Sequence, residues 1–149
     1  MKKFVFNLAA LLELREWDEQ KARQNYMIAF RNARQMELAV RDSGAEKESI
    51  LESWNQRGSE RFSRNDRLAL EASILESNRK HEEFVTRFEL AKKEERAALA
   101  KVSDAIRKRK AVENLKQRRF QAYQSEIAKA EFSEIEDIYS SRANERKLL

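Results

Sequence analysis

The sequence predicts an all-α fold: two long helices folded back on each other as an antiparallel coiled-coil hairpin, the second helix longer. Three observations predict it. No proline interrupts the 149 residues and only two glycines do, so the commonest helix breaker is missing and few places remain for a turn. Charged residues make up 38% and apolar ones 41%, many of them alanine, the mixture typical of long helices and coiled coils. Apolar residues recur at spacings of three and four through both halves of the chain. The period-two alternation that a strand requires is hard to find anywhere. The whole chain reads as a single domain.

The first helix is expected over about 5–56. Its opening, MKKFVFNLAALLELREW, crowds Phe4, Phe6, Leu8, Leu11, Leu12 and Leu14 into the first turns. Asn7 suits an N-cap, because its side-chain oxygen can accept from amides that lack an intrahelical partner. Glu13 and Glu16 follow where negative charge complements the helix dipole. The stretch is too short and too soon charged for a membrane span of about 20 apolar residues. No small-residue cleavage site follows it, so it reads as the start of a soluble chain rather than a secretory signal. Downstream the stripe runs through Ala22, Tyr26, Ala29, Phe30, Ala33, Met36 and Val40 to Ile50, Leu51 and Trp54, interrupted around Arg15 to Glu19 and again around Gly44 to Glu48. Imperfect heptads of this kind predict an antiparallel pair with a drifting contact line.

Two places suit a reversal of direction. Ser43-Gly44-Ala45-Glu46 has the Ser-x-x-Glu form of a capping box. Asn55 to Ser59, with Ser63, Asn65 and Asp66 beyond, carries the other glycine and several side chains that compete with helix for the backbone. A turn at Gly44 would leave most of the second stripe unpaired. The turn is therefore placed over about 57–65, around Gly58, with Gly44 a kink or nothing.

The second helix is expected over about 66–146, along a stripe of Leu70, Ile74, Leu75, His81, Val85, Phe88, Ala91, Ala98, Val102, Ala105, Ile106, Val112, Leu115, Phe120, Tyr123, Ile127, Ala130, Ile135 and Ile138. Glu37 with Arg41, Glu76 with Lys80, Glu89 with Lys93 and Asp104 with Lys108 have the favourable acidic-first order, each contributing about 0.2–0.5 kcal/mol. At about 1.5 Å per residue the first arm would be roughly 75 Å long. The second arm is longer, so residues beyond about Phe120 should overhang the N-terminus.

Chemistry-bearing clusters are scarce. His81 is the only histidine and there is no cysteine, so disulfides and thiolate-held metal are excluded and no zinc-ligand spacing exists. No glycine-rich phosphate loop is present, and a thin hairpin walls off no pocket for acid–base work. The expectation is a protein that is not an enzyme and needs no cofactor. The net charge of +5 is modest; it permits acidic partners without indicating nucleic acid. The sharpest asymmetry is Arg107, Lys108, Arg109, Lys110, Lys116, Arg118 and Arg119 against one acid, Glu113. The residues leave two readings open: a basic helix face balanced by Glu13, Glu16, Asp18 and Glu19, or a docking surface for acidic groups. Trp54 and Phe62 flank the expected turn, where packing across the hairpin end is favoured over a partner contact.

Phe4-x-Phe6-x-Leu8-x-x-Leu11-Leu12-x-Leu14-Arg15-Glu16 resembles the opening of the FliJ family, small coiled-coil components of the flagellar type III export apparatus. The similar length, the break before the midpoint and the basic second arm add to the likeness, and YscO-type injectisome stalk proteins look similar in architecture. The resemblance implies a non-catalytic stalk in the pore of a hexameric, FliI-like export ATPase, promoting ring assembly, bridging to an FlhA-like export gate and linked to export chaperones. It implies a monomer without membrane insertion or nucleic acid, located at the cytoplasmic face of the inner membrane. On that analogy Phe4, Phe6, Leu8, Leu11, Leu12, Arg15, Arg107, Arg109, Arg118 and Arg119 lie at the ATPase end. Trp54, Phe62 and Leu75, chosen from expected exposure at the tip, would face the gate. Two other classes stay open: a structural homodimeric coiled coil, and a basic helical binder of nucleic acid.

Overall fold

The computed structural model describes residues 3–57 and 63–147 and is an all-α helical hairpin of α1, Ala9–Arg57, and the longer α2, Arg64–Lys147. Its inter-helix contacts fall into two compact units, Gln20–Asp104 in one, and Met1–Glu19 with Ala105–Leu149 in the other. The expected turn at Gly58 lies outside the described residues. α2 starts two residues earlier than predicted because Ser63 caps it. The Asp66 amide donates to the Ser63 hydroxyl oxygen at 3.2 Å, while the Ser63 hydroxyl and amide donate back to the Asp66 carboxylate at 2.8 and 3.2 Å. This reciprocal box satisfies first-turn donors that would otherwise lack partners. The Ser63 hydroxyl, then its amide, hold the Asp66 carboxyl below the usual carboxylate range.

In the unit Gln20–Asp104 both helices carry a strict heptad. On α1 the covered positions include Ala22, Tyr26, Ala29, Ala33, Met36, Val40, Ser43, Lys47, Ile50 and Trp54; on α2 they include Leu70, Ile74, Ser77, His81, Phe84, Phe88, Ala91, Glu95, Ala98 and Val102. Every step is three or four residues, the repeat of a coiled-coil seam. The predicted interruption at Gly44 to Glu48 is therefore not a break: Ser43 and Lys47 occupy seam positions. Ala33 and Ala91 are the most enclosed residues, 2% and 3% exposed, and such small side chains thin the layer between the backbones. Ser43 meets His81 and Glu46 meets Lys80 at 3.6 Å, so partner numbers fall on α2 as they rise on α1, and the pairing is antiparallel.

Ser43 does not restart a helix. Its hydroxyl donates to the Val40 carbonyl at 3.0 Å, which leaves the oxygen to accept from His81 Nδ1 at 2.8 Å. The lone histidine thus holds the register of the seam. Gly44 stands beside it in unbroken helix without positive φ, and a Cβ there would lie 3.4 Å from His81 Cε1. Two of the predicted surface pairs take other partners: Glu37 meets Arg34 at 2.8 Å, and Glu76 meets Arg79 at 2.7 Å. Lys80 turns to Glu46 on the other helix.

Candidate functional site: the N-terminal arm on the long helix

The unit that joins Met1–Glu19 to Ala105–Leu149 is built differently. Its first described residues are not helical. The Ala9 amide closes a turn onto the Phe6 carbonyl at 3.1 Å, and the first α-helical bond runs from the Leu12 amide to Leu8 at 3.0 Å. Asn7 sits inside this turn and is not the cap, and the helix expected from residue 5 starts at Ala9. The reason is visible in the sequence: Phe4-x-Phe6-x-Leu8 places apolar side chains at every second residue. That spacing suits an extended segment laying one side on a surface better than it suits a helix.

The surface is α2. Phe6, Leu12 and Val112 form a buried cluster, with Phe4, Leu8 and Leu11 packed against it. The Phe4 ring stands edge-on to Phe120 at 5.2 Å and tilted to Tyr123 at 5.4 Å, separations at which aromatic pairs add stabilisation beyond the area they bury. The Arg119 guanidinium lies over the Phe6 ring at 5.9 Å, within the range of a cation–π contact.

The predicted interruption at Arg15 to Glu19 also proves to be seam. Leu12, Arg15 and Glu19 are covered on α1, and Ala105, Arg109 and Val112 on α2, again in steps of three and four. Glu19, only 8% exposed, is ion-paired with Arg109, which also binds Glu113 at 2.7 Å. Glu19 first and Glu113 second raise the Arg109 pKa above its already high value, so the guanidinium stays charged at any relevant pH. A charge pair in a seam fixes register because any slip would leave one charge buried and unpaired. Arg15, half-buried, reaches Asp18 at 3.5 Å.

These contacts sort the residues singled out at the ATPase end. Phe4, Phe6, Leu8, Leu11 and Leu12 pack inside the unit, Arg15 and Arg109 are engaged by carboxylates, and Arg107, Arg118 and Arg119 present charge at the surface with Lys108, Lys110 and Lys116. At the gate end, Trp54 is half-buried, Leu75 is exposed and Phe62 lies outside the described residues. Sequence reasoning set Glu19 among the acids facing the basic run and His81 on the α2 stripe, but did not find the pairs Glu19–Arg109 and Ser43–His81. A strict heptad count carried through polar positions finds both.

α2 continues past the Phe4–Tyr123 contact to Lys147. Ile127 is half-buried; after it Phe132, Ile135, Ile138 and Tyr139 are 63%, 51%, 54% and 74% exposed. This is the overhang that the unequal arms predict. Among the described residues no group of three or more His, Cys, Asp and Glu is placed to hold a metal ion, and no helix is long and apolar enough to cross a membrane. A shallow groove in the unit Gln20–Asp104, bordered by Ile50, Ser77 and Phe84, has its charges matched by Glu46–Lys80 and by Arg79 between Glu76 and Glu83. Such a rim offers a ligand little.

The chain thus falls in the class of helical hairpins with an unequal second arm. Comparison with protein-family models, with curated proteins and with solved structures finds no match.

Proposed function

We propose that this protein is a non-catalytic stalk and adaptor of a type III protein export apparatus, seated in the pore of a hexameric export ATPase and reaching toward the export gate. The observation that carries the reading is the clasped end: an apolar arm and the start of α1 lock onto α2 through Phe6, Leu12 and Val112, and α2 projects past them. A clasped helix of this kind can hold a fixed position inside a ring without chemistry of its own. The FliJ-like opening supplies the identity of the ring, and the exposed Arg107, Arg118 and Arg119 supply charge for acidic loops on its inner wall.

On this reading the protein works as a monomer at the cytoplasmic face of the inner membrane, beside an export gate and export chaperones. Nucleic acid is the weaker partner because Arg109 is already bound by two carboxylates and an acidic stretch follows the basic one on the same helix.

The test adds the purified chain to a hexameric export ATPase and follows turnover. Stimulation is expected, and Arg107→Glu combined with Arg118→Glu should remove most of it while circular dichroism stays unchanged. Full stimulation by the double variant would take the basic face out of the mechanism, and no stimulation by the wild type would end the stalk reading.

A further inference from the structure

Past Tyr123 the apolar residues of α2 change sides. Phe120 and Tyr123 carry the Phe4 ring, whereas Ala128, Phe132, Ile135 and Tyr139 lie about 120° round the helix from them. Phe132, Ile135 and Tyr139 are exposed, and no other element covers them among the described residues. Their steps of four, three and four are the repeat of a coiled-coil seam. The overhang thus carries a second seam, distinct from the one that closes the hairpin.

The charges beside this seam select the helix that fits it. One border carries Lys129 and Glu136, and the other carries Glu131, Ile138 and Glu145. Opposite signs a heptad apart on one border are self-complementary when two copies pair antiparallel. With Phe132 packed on Ile135 of a second copy and Tyr139 on its Ala128, Lys129 comes beside Glu136 of that copy. The twofold axis repeats the contact, and Glu131 falls beside Ile138 of the copy. Every other arrangement sets like charges together. A slip of one heptad in one direction brings Glu136 to its own equivalent and Glu131 to Glu145. The opposite slip brings Lys129 to Lys129 and Glu131 to Glu131, and parallel pairing brings Glu131 to Glu136 on both borders. Such like-charge contacts disfavour a wrong register. In the favoured one the copy's end reaches Gln121 on the side of α2 away from the Phe4 ring.

We propose that residues 121–146 of α2 pair antiparallel with the same residues of a second copy of this chain, in the register that joins Lys129 to Glu136. The apolar core is short, Ala128 to Tyr139 on each helix. It places the pair among small, transient interfaces, with a dissociation constant on the order of 100 µM. At low micromolar concentration the chain is therefore a monomer, and the inference stands independently of the ATPase reading. A uniformly basic partner is not favoured, because Lys129 and Arg142 border the face. An anionic lipid surface is opposed by Glu126, Glu131, Glu134, Glu136 and Asp137, which outnumber them.

Sedimentation equilibrium of the full chain from about 5 to about 500 µM should show monomer giving way to dimer. Phe132→Ala with Ile135→Ala should keep it monomeric throughout. Lys129→Glu should weaken association about tenfold or more, and adding Glu136→Lys should restore it. Orientation is read by cross-linking, since the chain has no cysteine of its own. Ala122→Cys and Ala143→Cys chains, mixed and oxidised, should form a mixed disulfide, because those positions meet across the antiparallel pair. Ala143→Cys chains alone should cross-link poorly. Leu68→Ala with Leu75→Ala, an exposed apolar pair elsewhere on α2, should change nothing, and circular dichroism checks that each helix is intact. A monomer at the highest concentration would assign the face to a different protein or surface and overturn the proposal. So would a dimer indifferent to Phe132 and Ile135, a charge swap that fails to restore association, or Ala143→Cys chains that cross-link to one another in preference to the mixture.

Discussion

Two neighbouring stretches of α2, residues 105–123 and 124–147, are parts of one continuous helix with opposite surroundings. The first is roofed by the arm and by α1: Val112 is buried, Arg109 is held by two carboxylates, and Phe120 and Tyr123 carry the Phe4 ring. The second has apolar side chains of similar size with nothing among the described residues over them. Helix propensity alone does not distinguish the two, since good helix formers are common in both, chiefly Ala, Arg and Lys in the first and Ala and Glu in the second. What differs is tertiary cover, and in proteins that is the source of most helix stability. The bare stretch thus gains none of that support from the described residues.

Truncations separate the two stretches most sharply. Leu12→Ala, which hollows the cluster over Val112, should cost about 2–5 kcal/mol in urea unfolding. Phe132→Ala, the removal of a larger side chain from the bare stretch, should stay within about 0.5 kcal/mol. A cost at Phe132 approaching that at Leu12 would mean the overhang is covered after all.

A smaller effect probes the other unit, whose seam is thin. Gly44 lies inside α1 with ordinary helical backbone, and an added Cβ only touches His81 Cε1 at 3.4 Å. Gly44→Ala should therefore stabilise the protein by about 0.5–1 kcal/mol, the helix-propensity gain. Gly44→Leu should destabilise it by crowding His81 away from Ser43. Loss of stability in the alanine variant would show that the seam tolerates no added carbon there.

Much of this was legible in the residues. The absence of proline, the placement of Ser63 and Asp66, and the unequal stripes gave the hairpin, its second helix and its overhang. Three things were hidden, each for a physical reason. Phe4, Phe6 and Leu8 alternate at period two, but the run is short and abuts a helical pattern, so it read as helix. Arg15, Glu19 and Ser43 fill seam positions with polar atoms, and a count of apolar residues alone sees gaps where the structure has an ion pair and a hydrogen bond. Arg109 read as one of several cations on a face balanced by Glu13, Glu16, Asp18 and Glu19, and only the fold selects Glu19 as its partner. Of the residues assigned to the ATPase end, the apolar ones turned out to hold the site rather than to face outward, a distinction that burial decides and spacing does not.

Hydrogen–deuterium exchange along α2 tests the contrast between cover and exposure most directly. Amides of residues 105–119 should exchange slower than those of 128–142 by on the order of a hundredfold, because opening the first stretch requires lifting the arm and breaking the Glu19–Arg109 pair, whereas the second opens by fraying. Equal protection in the two stretches of the isolated chain would contradict the account.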